Sequence, residues 1–279
     1  MLQQVCGCCG LVTIAPHDFW SGPLTKTRKS ALVPRGPWVY GLTGLGVSYK
    51  ADPSLLTDVV PKPLRVSDGS VFAYITEIVT WSPNAVELST EAPDQLYYHE
   101  GAFFVRVEYG GKTYTYCPFM WVDSDISLLR GLLVGWPKKL AKVALTKTHP
   151  MISGLDRPRK GLKLGGYVAR AGSTLYRVRV ELGDDGEGKY LPLLTEHPFI
   201  LIRYFAGVSP TLATVNELVE LVGEIDARTW RGRGEIEVIG GPNDELESLK
   251  PISEAVGYYF NMALKLKSVS AVGRAEGFS

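Results

Sequence analysis

No stretch of this chain approaches the roughly 18 consecutive apolar residues of a membrane-spanning helix, and no basic stretch leads into an apolar one at its N-terminus, as a secretory signal would require. No membrane association is therefore expected, and the cytoplasm is the expected compartment. An excess of either charge is also missing. Thirty Lys and Arg stand against 29 Asp and Glu, a net charge of +1, so a basic surface for nucleic acid is not implied. Cysteine is scarce, with Cys6, Cys8 and Cys9 bunched and Cys117 alone. No second pair follows at metal-ligand spacing, and His17, His99, His149 and His197 are scattered, so no metal is expected. There is no Gly-x-Ser-x-Gly elbow and no glycine-rich loop opening a helix after a strand, which sets aside serine-hydrolase and nucleotide-dependent readings. Internal repeats and low-complexity tracts are absent too.

What remains is an ordinary globular composition, 45% apolar and 21% charged, with organisation after a mixed start. Residues 1–30 lack periodicity and read as an appendage; residues 31–279 read as one domain. Short runs rich in Val, Tyr, Phe and Thr mark strands at Trp38–Tyr49, Val71–Thr80, Phe103–Tyr109, Thr113–Val122, Leu162–Arg170, Ser173–Leu182, Phe199–Phe205, Leu212–Trp230 and Glu235–Ile239. The segment Asn216–Val222 also fits a helical period. Gly110 and Gly111 between two such runs mark a hairpin, and Asp184–Gly188 reads as a polar loop. Helices are expected at Pro53–Val59, capped by Asp52, and at Ser253–Leu266, where Val256, Tyr259, Phe260, Ala263 and Leu264 would share a face. The sum is an α+β protein, mainly antiparallel β, with a sheet closing into a barrel or cone and helices outside.

The chemistry-bearing feature is Leu132–Ala141, which places Lys138 and Lys139 in an apolar stretch behind Trp136 and Pro137. Burial disfavours the charged ammonium and favours a neutral, nucleophilic amine. Such an amine can add to a ketone, and the resulting iminium accepts electrons from a breaking carbon–carbon bond without any cofactor. Repulsion from Lys139 could act in the same direction, but on an extended chain neighbours point to opposite faces, so desolvation by Trp136 and the leucines is the expected cause. The plainer alternative is a surface pair whose stems lie along apolar residues while the ammonium groups stay in water.

Other landmarks decide between these. Trp136-Pro137-Lys138-Lys139-Leu140 resembles the aromatic-Pro-Lys-Lys-Leu segment of acetoacetate decarboxylases. In the same order, Pro34-Arg35-Gly36-Pro37-Trp38 resembles that family's opening, Val59–Leu64 its Val-Pro-x-Pro-Leu, Tyr98-His99-Glu100 its Tyr-x-Glu, and Tyr116–Asp125 the strand and acidic turn before the lysines. The Pro-Arg-Gly match argues that Leu32–Gly36, which also spells most of a protease site used in expression tags, is native. The resemblance, over about Ala31–Ser268, implies a funnel-like β structure, a small keto-acid substrate, no cofactor and a homo-oligomer. By it, Lys138 forms a Schiff base, Lys139 adjusts that amine, and Glu100 orients or exchanges protons. Trp136, Tyr74, Thr43, Trp121, Met120 and Arg130 fall around the substrate pocket.

Departures accompany the match. Thr43 stands where the family carries an arginine and Tyr74 where it carries a second glutamate, and Arg130-Gly131-Leu132 replaces its Gly-Arg-Glu. Glu77, an odd number of residues from Tyr74, should face away. Arg130 or Arg106 is left as a possible cation for the substrate. The first expectation is a carbon–carbon lyase that decarboxylates a β-keto acid. The alternatives are a Schiff-base aldolase or dehydratase of pyruvate-like acids, and a non-catalytic ligand-binding relative.

Overall fold

The computed structural model describes residues 21–27, 30–33, 36–84, 86–208 and 213–276. Cys6, Cys8, Cys9, His17, Pro34 and Arg35 lie outside the described residues. The described chain runs β1 (Val39–Lys50), α1 (Pro53–Leu56), β2 (Arg65–Trp81), α2 (Val86–Glu91), α3 (Pro93–Leu96), β3 (Tyr97–Tyr109), β4 (Lys112–Val122), α4 (Asp125–Val134), β5 (Lys138–Leu140), β6 (Lys142–Leu145), β7 (Lys163–Arg170), β8 (Ser173–Gly188), β9 (Phe199–Ala206), β10 (Ala213–Val238) and β11 (Ala255–Gly273).

The expected closed sheet is present as a ring. Hydrogen-bonded neighbours follow the order β11-β1-β2-β3-β4-β9-β10, and β10 pairs back onto β11. All these pairs are antiparallel except β4 with β9. The far half of β10, still paired with β11 as far as Gly234, also pairs with β8, which carries β7 and β6. Two apolar clusters result. One fills the ring with Leu42, Phe72, Tyr74, Ala102, Phe104, Met120 and Phe260. The other lies on the opposite faces of the same strands with Leu45, Val47, Ala73, Ile75, Phe103, Trp121 and Tyr176. Strands buried on both sides read as continuous apolar runs, which is why β2 shows little alternation.

Several expectations hold and several are corrected. Asp52 caps α1, its Oδ1 accepting from Ser54 N at 2.8 Å, and Gly110 and Gly111, both at positive φ, turn the hairpin between β3 and β4. The helix expected at Ser253–Leu266 is instead β11, wedged between β1 and β10. Its apolar residues fit a period of two as well as one of 3.6, and Tyr258, Tyr259 and Phe260 are buried on both faces. Asn216–Val222 is extended, not helical, and the two runs expected as separate strands, from Ala213 onward within the described residues, form one strand, β10, that ends at Val238. Gly232 keeps that strand continuous, because a Cβ there would collide with the Glu181 carbonyl of β8. Asp184–Gly188 belongs to β8 and is no loop. Helix α4, not expected, follows β4: Ser124 Oγ accepts from Ser127 N at 3.2 Å at its start, and Gly135 ends it at φ 104°.

Candidate active site

Strand register decides which side chains meet. Tyr74, Ala102, Met120 and Lys138 are paired in one row across β2, β3, β4 and β5, and paired residues share a face. That face is the inside of the ring. Glu100, two residues before Ala102, shares it. The adjacent row, Ile75, Gly101, Trp121 and Lys139, faces out.

Inside, Lys138 Nζ lies 2.7 Å from Glu100 Oε2 and 2.8 Å from Ser127 Oγ. The two charged side chains are 6% and 5% exposed, so each charge is shielded from water and depends on the other. Tyr74 donates from its phenol to Glu100 Oε1 at 2.5 Å. Burial, and then the adjacent Glu100 charge, push the Tyr74 phenol well above its ordinary value, so it remains a donor. The Tyr98 ring centroid lies 5.3 Å from Lys138 Nζ, and burial pushes its phenol up as well.

Helix α4 supplies the other wall. Ser127, Arg130 and Gly131, three and four residues apart, occupy one face of it. Ser127 and Gly131 lie against Lys138; a Cβ on Gly131 would come within 2.5 Å of Lys138 Cε and still closer to Cδ. The Arg130 guanidinium sits 5.1 Å from the Trp38 ring centroid, 5.0 Å from Tyr40 and 5.9 Å from Tyr98. Arg130 is 4% exposed and its Nη1 is buried without a hydrogen-bond partner.

These groups line a cavity of about 270 Å³, with Trp136, Phe104, Phe199 and Met262 completing much of its wall. Of the residues expected at the site, the structure brings Lys138, Glu100, Tyr74, Met120, Trp136 and Arg130 together on this cavity. Lys139, Trp121 and Thr43 are elsewhere, a correction that follows from strand parity. Lys139 bonds the Asn243 carbonyl and Asp244 Oδ1, and Trp121 Nε1 donates to the same Asp244 oxygen at 2.9 Å. Thr43 donates to Asn261 Oδ1 at 2.8 Å on the outside. Glu77 also faces out, with Tyr97 and Lys147, as does His99, with Asp123. Arg106 is taken up by Asp68 and Glu196, so of these two arginines it is Arg130 that reaches the cavity. Ser127 and Gly131 were not singled out from sequence. The Ser124-Asp125 start and Gly135 stop of α4 were the signals that could have placed them on one helix face. Among the described residues no cluster of His, Cys, Asp and Glu is arranged to hold a metal ion, and no helix is long and apolar enough to cross a membrane.

Comparison with known proteins bears on the family and the fold. The family model "Acetoacetate decarboxylase (ADC)" matches residues 21–274. The chain is 32% identical over 161 residues to acetoacetate decarboxylase 1 of Mesorhizobium japonicum; the match spans 56% of this chain and 60% of that protein's length. Among solved structures, an acetoacetate decarboxylase-like enzyme from Sphingomonas wittichii RW1 superposes with a TM-score of 0.84 at 26% identity, covering 92% of this chain and 99% of the other. The enduracididine biosynthesis enzyme MppR, complexed with the condensation product of pyruvate and imidazole 4-carboxaldehyde, superposes at 0.81 with 22% identity, covering 94% and 98%.

Proposed function

Because the chain belongs to the acetoacetate decarboxylase family, we propose that it is a Schiff-base enzyme that decarboxylates a β-keto acid, with Lys138 as the amine. The observation that carries this reading is the buried Lys138 ammonium, 2.7 Å from the Glu100 carboxylate, at the end of an apolar cavity. Glu100 Oε2 takes one proton from the ammonium, and Nζ adds to the ketone carbon. The carbonyl oxygen then departs as water carrying two of the three ammonium protons, leaving an iminium with the third. The bond to the carboxylate breaks, its electron pair moves toward nitrogen as an enamine, and carbon dioxide leaves. Glu100, ionised again once the water has left, takes up a proton from solvent and passes it to the enamine carbon, and hydrolysis of the resulting iminium by water releases the ketone and restores the Lys138 ammonium. Tyr74 and Ser127 hold the carboxylate and the amine in place. Borohydride added with a keto substrate is expected to leave a stable adduct on Lys138, located by peptide mass, and Lys138→Ala is expected to reduce turnover to background. An unmodified Lys138, or full activity of the variant, sinks this reading.

Arg130 favours a second reading. A guanidinium that holds a carboxylate stabilises a charge that disappears as carbon dioxide departs, so it opposes decarboxylation. It suits instead a 2-keto acid that keeps its carboxylate while the Lys138 enamine attacks, or is released from, an aldehyde. MppR, with its pyruvate condensation product, supports the same direction. Under this reading Arg130→Gln raises KM for a 2-keto acid about 10- to 100-fold, the loss of one charge-assisted bond, and β-keto acids release no carbon dioxide. Appreciable decarboxylation of simple β-keto acids counts against it.

A further inference from the structure

The cavity is polar at one end only. Tyr74, Glu100, Lys138 and Arg130 gather around the Tyr98 ring, and the rest of the wall offers a ligand almost nothing but carbon. Met262, Leu264 and Leu266 follow one another along β11 with the spacing of a single strand face, joined by Leu42 of β1, Val134 at the end of α4 and Leu194. At about 3.3 Å per residue the β11 wall alone runs roughly 13 Å. Beyond it the lining ends in the exposed residues Lys267, Ser268 and Val269, and Lys267 is paired with Glu224 at 3.2 Å.

The space is large for a small keto acid. A volume of 270 Å³ is that of roughly nine waters at about 30 Å³ each, whereas a four-carbon keto acid needs only the polar end. An apolar space of this length gains affinity from a ligand in proportion to the carbon surface placed in it.

We infer that the substrate is a keto acid carrying a substantial apolar substituent, with its carbonyl at Lys138 and its chain or ring laid along β11 toward Lys267–Val269. This rests on the reading of Lys138 and Arg130 as the head-group site and adds the tail that the rest of the cavity selects. The wall also sets the direction of discrimination. Each methylene buried along it contributes about a four-fold gain in binding, while a polar or charged tail loses its hydration with no partner.

The test separates tail from head. Saturated carboxylates from butanoate to decanoate, which have no carbonyl, are titrated into the whole protein by calorimetry. The expected dissociation constants fall about four-fold per added carbon before levelling off, with an increasingly negative heat-capacity change. A flat or rising series overturns the inference. Leu264→Trp, which fills the tail channel, is expected to flatten the slope; Leu266→Trp is made in parallel in case the first variant does not fold. A folded variant of either kind with the wild-type slope also overturns it. In a separate arm, methyl ketones from acetone to 2-octanone are trapped with borohydride. Adducts on Lys138 whose half-saturating concentration falls with chain length support both readings. A steep carboxylate series with no adduct at any length leaves the tail channel standing and removes the Schiff base.

Discussion

A methyl group on Gly131 would occupy the space through which the Lys138 stem reaches Glu100 and Ser127. Glycine inside a helix costs about 1 kcal/mol relative to alanine, so Gly131→Ala should leave α4 at least as well formed as before while forcing the lysine out of line. The expected result is a fall in turnover on the order of ten- to a hundred-fold, as misplacement of a reacting group by about 1 Å produces, in a protein that still folds. Initial rates and a melting curve on the same preparation check it; an unchanged rate would mean that the amine reacts from another rotamer. Lys138 and Glu100 were legible in sequence because each lies in a short motif with its own chemistry. Gly131 and Ser127 were not, since a glycine and a serine acquire a role only once a helix sets them four residues apart against the lysine. Lys139 was legible as a charge but not as a partner of Asp244, which comes from a loop about a hundred residues away. Its outward direction followed from strand alternation alone, and the structure bears that out.

Helix α4 carries three residues of the site, so its stability and the site's geometry are linked. Ser124 satisfies the Ser127 N–H at its first turn, and Asp125 places a carboxylate beside the positive end of the helix dipole. Ser124→Ala is expected to cost about 1 kcal/mol, which for a chain of this size lowers the melting temperature by about 2–4 °C. Turnover should fall by more than that small loss implies, because fraying begins at the turn that holds Ser127. Differential scanning calorimetry and assays well below the melting temperature separate the two effects, and equal losses in both would dissociate the cap from the site. The same cap signals were readable at Asp52-Pro53, where they open a short isolated element, but at Ser124 they ran straight into the apolar stretch before the lysines and were absorbed by it. β11 was misread for a related reason. A strand buried on both faces loses the alternation that identifies it, and its apolar residues then match a helical stripe equally well.

At the scale of the whole molecule, ring closure depends on pairings that local patterns cannot specify, since β11 joins β1 across more than two hundred residues. What the sequence did carry was the inventory of strands and the expectation that an antiparallel sheet would close; it did not carry the order in which they meet. One consequence of closure can be measured through Asp68. Its carboxylate is held by Lys50 and Arg106, each at 2.8 Å, and Arg106 in turn reaches Glu196 ahead of β9 at 2.5 Å, so one ionic cluster ties β1, β2 and β3 to the segment entering β9. Burial works against the charge on Asp68, but the bonds from Lys50 and Ser70 and the charge of Arg106 outweigh it and hold the carboxyl far below the usual aspartate range. Between the depressed folded value and the unfolded value of about 3.9, the unfolded chain binds the extra proton, so falling pH favours unfolding. The contribution of Asp68 is therefore complete above about pH 5 and is lost progressively as the pH falls below about 4 toward the folded value. Asp68→Asn should lower the urea midpoint at pH 7 and converge on the wild type as the pH falls toward 2. The gap at pH 7 should narrow in 1 M salt, because the carboxylate is partly open to solvent. Midpoints measured at pH 7, 5, 3 and 2 decide it: a gap that stays constant across the series would place the effect of Asp68 in its backbone turn with Ser70 and not in its charge.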